Sequence, residues 1–143
     1  MRKIVIIILL KLFYISNAYG LIEVDITRGN LDPLPIAVSP LHVDIKSEKF
    51  EGLKVKSLGS DISSVIEKNF KSTGLFNPLK KDAFVQKPDI AHIKPRFEDW
   101  RLIKAQALVT GKILVKDSKL KVEFRLWDLT ASKEMIALAF TTT

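Results

Sequence analysis

The polar and apolar positions of this chain change period several times, and each change predicts an element. Residues Leu21 to Thr27, "LIEVDIT", alternate Ile22, Val24 and Ile26 with Glu23, Asp25 and Thr27. That two-residue period is the pattern of a strand with one buried face. Arg28-Gly29-Asn30 ends it, Gly29 and Asn30 being types that tolerate positive φ. Pro33 and Pro35 follow, fixing an extended backbone and removing two amide donors, so the stretch before Ile36 is not expected inside a central strand. "PIAV" (Pro35 to Val38) is a short apolar run that can pair or tuck against a sheet, with Val43 and Ile45 as a continuation. Lys46 to Lys56 reads as a charged, exposed loop.

Farther along, the period lengthens. From Ser60 to Gly74 the residues Ile62, Val65, Ile66, Asn69 and Phe70 fall on one face of a helix. Ser60 or Asp61 can cap its start, Lys68 and Lys71 suit its negative end, and Gly74 suits the position after it. "LFNPL" carries a turn at Asn77-Pro78, Phe84 and Val85 form a short apolar element, and Lys87 to Pro95 is a proline-spaced connector. A short amphipathic helix is expected over Arg96 to Ile103, with Phe97 and Trp100 on one side. Three strands then follow: Ala105 to Val115, Leu120 to Leu129, and Glu134 onward. The short turns "KDSK" and "TASK" separate them, which predicts an antiparallel meander. The expected fold is α+β: a mixed or antiparallel sheet with a C-terminal three-stranded meander, and one long and one short helix on one face. The last residue, Thr143, directly follows a strand, so the front part of a longer protein is expected.

Before residue 21 the pattern is of another kind. "MRKIVIIILLKLFYISNAYG" has a basic start at Arg2 and Lys3, an apolar run from Ile4 to Leu10, and a small or polar exit from Ser16 to Gly20. This is the layout of a secretory signal, with cleavage after Ala18 or Gly20. An uncleaved anchor competes, but Lys11 interrupts the run, and Ile4 to Ile15 falls short of the roughly 20 residues a spanning helix needs. No direct membrane insertion is expected after cleavage. The 143 residues therefore divide into a signal, 1–20, and one domain, 21–143.

Composition changes this picture in two ways. The net charge is +7, but three of the 23 basic residues lie in the signal, leaving 20 basic and 16 acidic groups in the remainder. That mixed surface lacks the concentrated stripe of a nucleic-acid binder. An exported domain without any cysteine rests on its core alone and points to a bacterial periplasm rather than to a disulfide scaffold.

Candidate chemistry is sparse. His42 and His92 are the two histidines, both in loop-like regions without a second ligand at metal spacing, so no metal or cofactor is expected. "VTGKI" (Val109 to Ile113) lacks the glycine and hydroxyl of a phosphate loop and lies in a strand, where Gly111 permits a bend or a close approach. Glu98 and Asp99 suit a helix start. Trp100 and Phe97 read as core anchors, and Trp127, on a charged strand face, as a half-buried cover or an interface. The N-terminal strand remains. Chain ends need to be tied down, so it either joins its own sheet or donates itself to the sheet edge of a partner.

Four segments carry a resemblance: "VDITRGNLDPLPIAV" (Val24 to Val38), "STGLFNPL" (Ser72 to Leu79), "WRLIKAQALVTGKI" (Trp100 to Ile113) and "VEFRLWDLTASK" (Val122 to Lys133). In this order they resemble the TolB amino-terminal domain family, of the periplasmic Tol-Pal system of Gram-negative bacteria. The resemblance implies an exported, non-enzymatic adaptor with an α+β domain, followed by a further helix and a six-bladed propeller that binds the lipoprotein Pal. Helix and propeller lie beyond this sequence, so Pal is a partner only where a propeller is present. It implies that the mature N-terminus engages the C-terminal domain of TolA, which here falls on Leu21, Ile22, Glu23, Val24, Asp25, Ile26, Thr27 and Arg28. The residues themselves suggest a hinge at Gly29 and Asn30, with the extended Pro33 and Pro35 leading to an expected anchor at Ile36 to Val38. The implied role is in outer-membrane integrity, in constriction at cell division and in the import that colicins and phages exploit. The alternative is a basic nucleic-acid-binding module of the anticodon-binding-domain type, whose fold the family's resembles, and an enzyme of unknown type comes third.

Overall fold

The computed structural model describes residues 32–44, 55–116 and 119–142. The expected signal, the expected strand segment Leu21 to Arg28, Gly29, Asn30 and most of the expected charged loop lie outside the described residues.

Among the described residues, six strands form one sheet: β1 (Leu34–Val38), β2 (His42–Val43), β3 (Phe76–Pro78), β4 (Ala107–Lys116), β5 (Lys119–Asp128) and β6 (Lys133–Thr142). The order is β3-β1-β4-β5-β6, with β2 also on β4. β4, β5 and β6 are the expected antiparallel meander. Lys116 and Lys119 are the last pair of β4 and β5, and the two residues between them lie outside the described ones. At the other turn, Asp128 Oδ1 accepts the amides of Thr130 and Ala131, both at 2.8 Å.

The other half of the sheet is parallel, and it corrects the reading of the prolines. β1 is flanked on both sides, by β3 and by β4. Pro35 nevertheless leaves no hydrogen bond unmade. Leu34 donates to the Leu75 carbonyl and Ile36 accepts from the Leu79 amide, so these two residues address β3. Pro35 addresses the other side, where its carbonyl accepts from Gln106 at 2.9 Å. Pairing with β4 starts only at Ile36 with Ala107, so the missing N–H of Pro35 falls before that ladder begins. Asn77-Pro78, expected as a turn, instead forms the short edge strand β3, the outer position that Pro78 can occupy without breaking a ladder.

β2 prolongs β1 along the same edge of β4. Val38 pairs with Val109 and His42 with Lys112, so four steps on one strand match three on the other. The extra residue kinks the chain at Ser39 to Leu41. Leu41 turns inward over Gly111, where a Cβ would stand 3.0 Å from Leu41 Cγ. Gly111 is thus a site of close approach, as its place in a strand suggested.

Three helices pack on this sheet: α1 (Val55–Ser72), α2 (Pro88–Ala91) and α3 (Phe97–Leu102), with a 3-10 turn at Lys81–Ala83. α1 begins earlier than Ser60, so Val55 and Lys56 belong to it rather than to the loop. Ser60 does not cap it; its hydroxyl donates back to the Ser57 carbonyl at 2.8 Å. The stripe that packs on the sheet is Leu58, Ile62, Ile66 and Phe70, at a spacing of four, while Val65 is exposed. Gly74 follows in the left-handed region at φ 70°, and its amide donates to Lys71. α2 gives the proline-spaced connector one helical turn, with Pro88 in its first turn.

The two faces of the sheet carry different helices. Ile36, Val38, Ala107 and Val109 meet Ile66 and Phe70 of α1. Their neighbours Ala37 and Leu108 point the other way and join Ala91, Trp100 and Trp127, beside Phe97. Successive strand residues alternate sides, so α1 lies on one face and α2 and α3 on the other. The α+β class and meander stand, but the long and short helices do not share a face. The reason is that β1 and β4 are apolar at consecutive positions, as central parallel strands are when both faces are covered.

Candidate interaction surface

β1 is the first described strand after the N-terminal segment. Asp32, Pro33 and Leu34 are exposed, and Pro35 is half-buried. Ile36, Ala37 and Val38 are then wholly buried. Ile36 to Val38 thus belong to a fully packed central strand, with an exposed lead directly before it. Of the expected interaction residues, only Pro33 and Pro35 lie among those described.

The opposite edge of the sheet is apolar and open. Ile136, Leu138 and Phe140 are opposite Leu126, Phe124 and Val122 on the α1 face, and each is about half exposed or more, at 49%, 53% and 57%. α1 stops short of them. A groove of about 310 Å³ runs between Ile66 and Phe70 of α1 and Leu126, Ile136 and Leu138 of the sheet. From Met135 to Thr142 the edge strand has no charge or proline, the usual guards of such an edge. The sequence alone marks this segment as a strand and assigns it no buried face.

The aromatic residues behave as core. Trp100 is 1% exposed, packs edge-on against Phe84, and donates its indole N–H to Gln86 Oε1 at 2.9 Å. Trp127 is buried rather than an interface: its indole donates to Thr110 Oγ1 at 2.9 Å, and Phe97 covers it edge-on. Beyond Trp127 the same face of β5 carries Lys121, Glu123 and Arg125. Lys121 pairs with Glu123 at 2.7 Å and Arg125 with Glu134 at 3.7 Å. Lys121 donates a hydrogen bond that holds the Glu123 carboxyl below its usual range. Lys112–Asp44, Lys81–Glu67 and Arg96–Asp99 are further pairs, so basic groups on several elements are neutralised locally.

The two histidines are not isolated. His42 in β2 and His92 at the end of α2 stack with ring centroids 4.4 Å apart and planes 6° from parallel. Fifty residues separate them in sequence, and no local pattern announces their contact. Among the described residues no group of three or more His, Asp or Glu side chains gathers as a metal site.

Comparison with known proteins places this geometry. The TolB amino-terminal domain family matches residues 22–135. The Tol-Pal system protein TolB of Pelagibacter ubique is 67% identical over 128 residues, covering 88% of this chain but 29% of that protein. The chain thus spans less than a third of the length of this curated relative. TolB from Acinetobacter baumannii shares the fold at a TM-score of 0.58 and 17% identity, over 78% of this chain and 24% of that one. The C-terminal domain of LpoB from Escherichia coli shares it at 0.56 and 6% identity, over 80% of this chain and 86% of that one. At those identities the likeness concerns fold alone. From the extent of the family match and the identity to its relative, the chain belongs to the TolB amino-terminal domain family.

Proposed function

We propose that this chain is the amino-terminal domain of a non-enzymatic, periplasmic Tol-Pal adaptor, whose strand Leu21 to Arg28 binds the C-terminal domain of TolA after signal cleavage. The observation that carries this reading is the anchor: a buried central strand preceded by an exposed lead, Asp32 to Leu34. An alternating segment tethered in this way is suited to strand addition, because its backbone donors and acceptors supply affinity while alternate side chains supply specificity. Gly29 and Asn30 would let it swing between its own domain and TolA. Such a switch works when the two states lie within a few kcal/mol, so that binding elsewhere tips them.

Contact with Pal belongs to the propeller expected of a longer protein, and with it the role in outer-membrane integrity and constriction at division. The open apolar face at Ile136, Leu138 and Phe140 suits the further helix that the resemblance implies between this domain and the propeller. The nucleic-acid reading gains nothing here, since Lys81, Arg96, Lys112, Lys121 and Arg125 each pair with a neighbouring acid.

The test is calorimetric titration of the TolA C-terminal domain with the mature chain and with a variant lacking Leu21 to Thr27. The deletion is expected to abolish binding while leaving far-UV circular dichroism largely intact. Unchanged affinity after the deletion contradicts the reading.

A further inference from the structure

We propose that His42 and His92 form an acid-sensitive clasp that holds α2 against β2, closed while at least one ring is neutral and released when both are charged. The stack joins two short elements. β2 is two residues long and α2 only four. Parallel rings 4.4 Å apart attract when one is neutral, whereas two imidazolium ions at that distance repel in a partly desolvated setting. The Pro88 carbonyl lies 3.0 Å from His92 Nδ1 and accepts its N–H, which orients the ring. Lone pairs in two parallel ring planes do not converge on one ion, so the arrangement suits protonation rather than metal binding.

The charges around the stack can be named. Asp44 lies on the same side of the sheet as His42 and pairs with Lys112 of β4 at 3.1 Å. α2 brings His92 and Asp89, Lys87 lines the same recess, and α1 contributes Gly59 and Ser60, which do not titrate. Burial, then His92, lowers the proton affinity of His42; Asp44 and Asp89 oppose this, and Lys112 adds to it. A histidine with a depressed folded-state value contributes stability that is complete above its ordinary value and is lost as pH falls toward the depressed one.

The experiment is an NMR pH series on the full chain from about pH 7.5 to about pH 5, following the ring of His42 and the amides of residues 88–92. The amides are expected to move together with the His42 ring. Protection of the Ala91 and His92 amides, corrected for intrinsic exchange, should fall roughly tenfold. In His92→Phe, which keeps an aromatic ring and takes no proton, the amides should stay still and the His42 midpoint should rise. Amides of 88–92 that do not respond in the parent chain, or respond equally in His92→Phe, overturn the clasp. Should His92→Phe fail to fold, His42→Gln serves: its 88–92 amides should resemble the acid form already at neutral pH, and a neutral-like spectrum that still titrates overturns the proposal.

Discussion

Leu41 donates its amide N–H to the carbonyl of Gly59 at 3.0 Å, and the two backbones are so close that a Cβ on Gly59 would collide with the Leu41 carbonyl oxygen. A glycine inside a helix normally costs stability relative to alanine. Here it is what lets α1 reach the kink between β1 and β2. Gly59→Ala is therefore expected to destabilise the chain by about 1–3 kcal/mol, against the gain in helix propensity. Urea unfolding followed by circular dichroism measures it; a stabilised variant contradicts the close packing.

Gln86 ties the start of α3 to its core. Its Oε1 accepts from both the Trp100 indole, at 2.9 Å, and the Arg96 amide, at 3.1 Å, while the residue is 4% exposed. Gln86→Met removes that acceptor and leaves a buried indole N–H without a partner. A loss of about 1–3 kcal/mol in chemical denaturation is expected.

The open edge should make the chain self-associate. Leu138→Lys places a charge on an exposed strand position, so stability should change by no more than about 0.5 kcal/mol. Light scattering should show less association in the variant, because charges are the usual guard of an open edge. Equal association would locate the sticky surface elsewhere.

Stability should also fall on mild acidification, from neutral toward about pH 5, in the direction set by the lowered proton affinity of His42. His42→Gln should flatten that part of the profile. Glu123, lowered by its bond from Lys121, adds a term of the depressed-carboxylate kind. That contribution is present above the ordinary carboxylate value and is lost as pH falls through the depressed one. Exposure and salt keep it small.

Much of the fold was legible where one local rule decided the outcome. Alternation in β5, with Val122, Phe124 and Leu126 against Lys121, Glu123 and Arg125, gave both the strand and its buried side. Phe97 and Trp100 gave α3, and Gly74 gave the end of α1. What failed to show was long-range. Whether Pro35 can stand in a central strand depends on where β4 begins, which is a matter of register across seventy residues. Trp127 sits among charges in sequence, yet Phe97 and Thr110 bury it. The helices separate onto two faces because β1 is apolar at consecutive positions, a feature that a period-two reading treats as ambiguous. For the same reason the contact of His42 with His92 had no signal at all.

The TolA domain is expected to meet the segment before β1 and not the folded sheet. The direct measurement is an NMR titration of the isotopically labelled mature chain with the unlabelled C-terminal domain of TolA. The expected result is that signals of Leu21 to Arg28 shift or broaden while those of α1, β4 and β5 stay in place. Perturbations confined to β6 or β3, with Leu21 to Arg28 unmoved, would contradict it.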